Sequence, residues 1–403
     1  MAPGVAKSRS GKMKDQTKLV EYGRYTGETW SVVNPPVFHA STIIHQTVAR
    51  FMETRSLMST DEDHVNYGRI GHPTARVFEQ AIADLEGGFR TLTYSSGLAA
   101  IGSSLLAYLE PGDHVLVPDN VYGATRKFCT ATLARLGITC SFYDVGRRTD
   151  IIEQFRPQTK VLLIEAPGSL TFEMPDIPAL VAVARERNVI TIMDNTWASP
   201  LYYKPLKHGV DVSVQAATKY ICGHSDAMMG VVTTTEKCFA PLRELTHQLG
   251  QCAAPDEIYL AMRGLRTLAV RLERHGKTAI ALAQWLKSRP EVQQVLLPAL
   301  PDDPGHALWK RDFQGSSGLF GVVLRPVSES AVAAMIDGLK HFGIGVSWGG
   351  FESLIIPAWP EKVRTENPWQ ADGVLLRIHA GLEDPDDLVA DLAEGFNRLA
   401  ANN

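Results

Sequence analysis

The sequence predicts an α/β chain with a mostly parallel central sheet in a large domain and a smaller α+β domain towards the C-terminus. Three observations carry this. Short runs of consecutive apolar, β-branched residues recur through the middle of the chain, as strands buried on both faces of a covered parallel sheet require. Stretches with helical spacing fill the gaps between them, which is the grammar of βαβ units. From Gly264 the pattern changes to one long amphipathic helix followed by separate strand and helix pieces.

The elements follow in order. Residues 114–118 form a strand after the Pro111-Gly-Asp113 turn, and 161–164 a strand that runs into Glu165-Ala-Pro167. Residues 189–193 lead into Asp194-Asn195, 210–214 lead towards Lys219, and 230–233 make a fifth strand. Helices are expected over 121–137 and 177–187. Beyond Gly264, Leu265, Leu268, Leu272, Ala279, Leu282 and Leu286 recur at three- and four-residue steps with charges opposite. Gly276 interrupts that helix and marks a bend. Strands at 319–324 and 375–379 and helices near 329–340 and 386–399 complete the smaller domain. Residues 1–65, with Pro35-Pro36 and the acidic Asp61-Glu-Asp-His64, read as an irregular arm.

Composition narrows the function classes. The 403 residues are 45% hydrophobic and 21% charged, which suits a globular chain with room for two domains. Forty Lys+Arg against 44 Asp+Glu leave a net charge of −4, so no broad basic field serves nucleic acid or anionic lipid. No apolar run reaches the roughly 18–20 residues of a membrane helix. The five cysteines are odd in number and never spaced as CxxC, which argues against a disulfide framework or zinc site and for a reducing compartment, the cytoplasm. Lys7, Arg9, Lys12, Lys14 and Lys18 lie in an N-terminal stretch without an apolar core. That is a basic tail or an organelle-targeting segment, not a secretory signal. Neither GxGxxG nor HExxH occurs, and the first glycine of a P-loop ending at Gly276-Lys-Thr278 would fall on Arg271. No metal is expected, since His64 beside three acids reads as a solvated loop.

The chemistry-bearing residues cluster at strand ends. Lys219 follows a strand in Ser213-Val-Gln-Ala-Ala-Thr218-Lys219-Tyr220, and Asp194 ends the strand before it. Ligands bind at the carboxyl edge of such sheets. Each residue alone suits a surface or cap position equally. Together they are what pyridoxal phosphate requires: a lysine to hold its aldehyde and a carboxylate to keep the pyridine nitrogen protonated. Tyr94-Ser-Ser96-Gly97-Leu98 precedes a helical pattern and offers an anion site at a helix N-terminus, or else a plain serine cap. Tyr122 lies just past the 114–118 strand, where it can stack on a cofactor ring or simply pack. Arg377 interrupts an apolar strand and needs a carboxylate, supplied either by an internal salt bridge or by a substrate.

These residues resemble the Cys/Met-metabolism family of pyridoxal-phosphate enzymes. The resemblance runs from about residue 60 to the C-terminus. It rests on Tyr67-Gly-Arg69 with Gly71-His-Pro-Thr74, Ser95-Ser-Gly97, Asp194-Asn-Thr-Trp197 and Ala216-Ala-Thr-Lys219-Tyr220. Gly223-His-Ser-Asp226, Ser347-Trp-Gly-Gly350 and Arg377-Ile-His-Ala-Gly-Leu-Glu383 extend it. The resemblance implies the type I transferase fold of aspartate aminotransferase, with an N-terminal arm over 1–65 that contacts a neighbouring subunit. A cofactor-binding large domain would span 66–263, and a linking helix with the small domain 264–403. It implies that Lys219 anchors the cofactor and moves protons, that Asp194 pairs with the ring nitrogen, and that Tyr122 stacks on the ring and helps deprotonate the incoming amine. Ser96, Gly97, Leu98 and Thr218 would hold the phosphate. Tyr67 and Arg69 would reach the phosphate of a neighbouring subunit, giving a homotetramer of dimers with shared sites. Arg377, Ser347 and Trp348 would bind the substrate carboxylate, while His224 and Trp197 take packing roles.

The implied reaction is elimination at Cβ of a thioether amino acid, cystathionine, leaving homocysteine, pyruvate and ammonia. Ser347-Trp-Gly349 is similar to the β-eliminating branch, where γ-active members carry leucine at the tryptophan. Ala124 stands where methionine γ-lyases carry cysteine. Ile70 replaces an arginine that some β-lyases place there, and so leaves recognition of the distal carboxylate open. Gamma-elimination, γ-replacement, a broader cysteine-S-conjugate β-lyase and a non-catalytic phosphate-ligand binder are the competing readings.

Overall fold

The computed structural model describes residues 13–26, 31–57, 65–146 and 151–402. The acidic 61–64 segment and the basic residues Lys7, Arg9 and Lys12 lie outside them. The central sheet has seven strands: β1 (Arg90–Tyr94), β2 (His114–Pro118), β3 (Thr139–Tyr143), β4 (Thr159–Glu165), β5 (Ile190–Asp194), β6 (Val212–Gln215) and β7 (Gly230–Thr234). Their order is 1-7-6-5-4-2-3. β7 pairs antiparallel with both neighbours and the remaining pairs are parallel, so the mostly parallel sheet expected from the sequence is what forms. The strands read from apolar runs fall within a residue or two of their positions. β3 escaped that reading because it is an edge strand with half-exposed Cys140 and Ser141, so no apolar run marks it.

Alternation in β4 shows why the runs must be apolar throughout. Val161 and Leu163 enter one core with Val115, Val117 and Ile192, while Leu162 and Ile164 enter the other with Leu116 and Met193. The second core continues into a five-stranded sheet of β8 (Val292–Leu296), β9 (Leu319–Leu324), β10 (Phe342–Gly343), β11 (Ser353–Ala358) and β12 (Leu375–His379), in the order 8-9-12-11-10. Buried Trp197 pins the two sheets together by donating from Nε1 to the Leu319 carbonyl at 3.0 Å.

The long helix runs from Pro255 to Lys287, starting ahead of Gly264. It passes Gly276 as one continuous α-helix. A Cβ there would stand 2.3 Å from the Ser316 carbonyl oxygen, so the glycine admits a close backbone approach. Residues 121–137 likewise form two pieces, an α-helix over Gly123–Lys127 and a π-helical stretch over Phe128–Leu133. Among the described residues no helix is long and apolar enough to cross a membrane. Because β2, β4, β5 and β6 are parallel, their carboxyl ends open on one edge and bring Tyr122, Glu165, Asp194 and Lys219 to it.

Candidate active site

Lys219 sits in the turn after β6, held by its N–H to the Ala216 carbonyl at 3.0 Å and by its carbonyl accepting from the Gly223 N–H at 2.8 Å. Its Nζ donates to Ser347 Oγ at 2.8 Å and lies 5.2 Å from the Trp348 ring centroid. Partial burial and the Arg377 guanidinium push its pKa down to about 8, against the pull of Asp194. An amine of that kind is neutral in an appreciable fraction near neutral pH, as a general base must be.

Ser347 and Trp348 belong to a loop fixed from three sides. Arg377 Nη2 donates to the carbonyls of Gly345, Val346 and Ser347 at 3.2, 2.8 and 3.1 Å. The Gly349 N–H donates to His379 Nε2 at 3.1 Å. Gly349 itself has φ +85°, and a Cβ on it would stand 3.0 Å from the Lys219 backbone, so glycine alone lets the loop lie against the lysine. Among the described residues no carboxylate pairs with Arg377. Among the described residues its Nε and Nη1 carry no partner, so a charged group with donors to spare is left for a ligand carboxylate.

Asp194 ends β5. Its Oδ1 takes both the N–H and the hydroxyl of Thr196, at 3.0 and 2.5 Å, while Oδ2 takes no hydrogen bond. Glu165 ends β4 directly opposite Asp194 in register, and its Oε2 accepts from the Tyr122 N–H at 2.8 Å. Both carboxyls keep some surface open to the crevice. Burial raises the pKa of each, and Asp194 raises that of Glu165 further, well above the ordinary range. Sequence reasoning missed Glu165, although it closes an apolar run just as Asp194 does. Tyr122 is half exposed at the head of the Gly123–Lys127 helix.

Ser96 caps the helix Gly97–Leu106, its Oγ accepting from the Ala99 N–H at 3.1 Å. The N–H groups of Gly97 and Leu98 have no intrahelical acceptor and point, with the helix dipole, at any anion placed there. A Cβ on Gly97 would stand 2.5 Å from that of Ala216, so this cradle packs directly against the lysine loop. Thr218 precedes Lys219 in the same turn. Its hydroxyl donates to the Met229 carbonyl at 3.1 Å and accepts from the Met229 N–H at 2.9 Å, so its proton is committed to the backbone. Tyr67 is exposed, and Arg69 donates to the His247 carbonyl at 2.9 Å. Neither bonds to the Lys219, Asp194 or Ser96 groups of its own chain. His224 bonds the Cys222 carbonyl at 2.8 Å, a local turn contact.

The crevice thus offers an amine of lowered basicity, an anion cradle, a carboxylate with one free oxygen and a guanidinium with free donors. A family model for Cys/Met metabolism PLP-dependent enzymes matches residues 16–397. The chain belongs to that family. It is an enzyme of the lyase class with pyridoxal 5'-phosphate (PLP) as cofactor. The chain is 42% identical to the cystathionine beta-lyase of Escherichia coli (strain K12), covering 96% of this chain and 99% of that one. It is 39% identical to the L-alanine/L-glutamate racemase of Wolbachia pipientis wMel, over 97% and 99%. A solved cystathionine gamma-lyase from Lactobacillus plantarum superimposes with a TM-score of 0.86 at 30% identity, covering 96% of this chain and 100% of the other.

Proposed function

We propose that the chain cleaves L-cystathionine between Cβ and sulfur, releasing homocysteine and a three-carbon enamine that one water hydrolyses to pyruvate and ammonia. The observation that carries this is the placement of Lys219 Nζ beside Ser347, Trp348 and the free donors of Arg377. The free Asp194 Oδ2 and the Gly97 cradle fit the ring nitrogen and the phosphate of PLP, and Lys219 fits its aldehyde. Bound there, the cofactor supplies an electron sink for the pair freed when a Cα–H bond breaks.

The chain's own residues do the rest. Arg377 receives the α-carboxylate through its unpartnered guanidinium donors and so turns Cα–H towards Lys219. Neutral Lys219 takes that proton at Nζ, with Ser347 Oγ holding the amine in line, and can hand it to the departing sulfur. Asp194 meets the ring nitrogen with its free Oδ2, and Tyr122 covers the ring face. Tyr67 and Arg69 reach the phosphate of a neighbouring subunit, which requires a dimer and fits a tetramer of dimers in the cytoplasm. The exposed Ile44, Val48 and Met52 of the arm support such contacts.

Product identification after incubation with cystathionine tests the reading. Pyruvate with homocysteine supports it, whereas cysteine with 2-oxobutyrate moves the chain to γ-cleavage. The Wolbachia relative favours a second reading at the same site, in which Cα loses its proton on one face and regains one on the other. Conversion of L-alanine to D-alanine would bear that out.

A further inference from the structure

Tyr122 has little to hold its ring in place. It is 50% exposed, it makes no side-chain cap to the helix it heads, and that helix has only five α-helical residues before it turns π-helical. Its carbonyl accepts from the Arg126 N–H within the helix at 3.0 Å, and the bond that ties its backbone to the sheet runs from its N–H to Glu165 Oε2 at 2.8 Å. Glu165 is itself fixed by the sheet, as the last residue of β4 and the register partner of Asp194 on β5. Parallel strands lie about 4.8 Å apart and residues in register point the same way, so the two carboxyls stand side by side at the crevice.

We propose that Glu165 is a positioning residue of the cofactor site: it fastens the Tyr122 backbone to the strand end beside Asp194, so that the covering ring and the ring-nitrogen acceptor are set by one pair of neighbouring strands. This rests on the reading above, in which the cofactor ring lies between Tyr122 and Asp194. The role needs an acceptor oxygen and not a charge. Burial and the neighbouring Asp194 raise the Glu165 pKa, and the carboxyl accepts through an oxygen whether or not it carries a proton. A leucine at 165 keeps the bulk and loses the acceptor, whereas a glutamine keeps both.

The test measures PLP dissociation constants and the visible circular dichroism of the bound cofactor for the holoenzyme and for Glu165→Leu and Glu165→Gln. Leucine should weaken PLP binding about tenfold, the scale of one lost hydrogen bond, and diminish the visible dichroic band. Glutamine should stay within about threefold of the natural chain and keep the band. Glu165→Ala is read in the same way should the leucine variant fail to fold. An unchanged constant and band in the leucine or alanine variant overturns the inference, as does a glutamine variant as impaired as leucine. Asp194→Ala separates the two readings. If it too leaves PLP affinity unchanged, the placement of the ring is what fails. If it weakens binding while Glu165→Leu does not, only the role of Glu165 falls.

Discussion

Lys219 has a cost that can be measured without any substrate. Its ordinary pKa of 10.5 falls to about 8 in the folded chain, through burial first and the Arg377 charge second. Below pH 8 the lysine is charged in both the folded and the unfolded chain, and the folded one bears the full penalty. Above 10.5 it is neutral in both. Between those values the unfolded chain binds more protons, so this group makes stability rise with pH. At pH 7 the penalty is about 3 kcal/mol. Lys219→Met removes it with little change of shape, and loses the bond to Ser347, worth about 1 kcal/mol. The cofactor-free variant should therefore be about 2 kcal/mol more stable than the natural chain at pH 7, and the advantage should vanish by pH 10.5. Urea titrations of both cofactor-free proteins at several pH values give the difference, in which the titrations not coupled to Lys219 cancel. A variant less stable at pH 7, or an advantage that does not shrink as pH rises, refutes the argument.

Three further expectations come from the same contacts. Asp119 is buried, pairs with Arg126 at 2.5 Å and accepts the N–H groups of Thr365, Glu366 and Asn367, so Asp119→Ala should cost about 3–5 kcal/mol in urea unfolding by stranding Arg126 and releasing that segment. Gly97→Ala should push the helix away from Ala216 and weaken PLP retention by about tenfold or more, as read by equilibrium dialysis, with far-ultraviolet dichroism unchanged. Glu86 is fully buried against Ser213 and Gln215, with its pKa raised by burial to about 7, so its contribution is present below pH 4.5 and lost as pH rises through 7. Glu86→Gln should accordingly gain stability over the natural chain at pH 8 but not at pH 4.5, a trend that a thermal-melt series against pH would reveal.

The strand ends were legible in the sequence wherever an apolar run stopped at a polar residue. Val189-Ile-Thr-Ile-Met193 before Asp194 is the clearest case, because a doubly buried strand leaves no other pattern. The same logic extended to Val161–Ile164 would have singled out Glu165, but a lone carboxylate gains meaning only once its register partner is known. That partner, Asp194, lies on a separate strand. Arg377 was legible as an oddity within an apolar strand. Its three bonds to the 345–347 carbonyls were not, since they join β12 to a loop some thirty residues earlier.

By itself, then, the sequence determined the local facts: where the chain is apolar on both faces, where a serine and a glycine open a helix, and where a lysine follows a strand. Periodicity and capping depend on neighbours a few residues apart, so they can be read along the chain. Only the tertiary structure decided that Thr218 spends its proton on Met229, that Gly276 admits Ser316, and that Lys219 lies under Arg377 and loses its ordinary basicity. Those outcomes depend on distances between residues far apart in sequence. Burial and charge act through space, and it is folding that sets which groups come close enough to act.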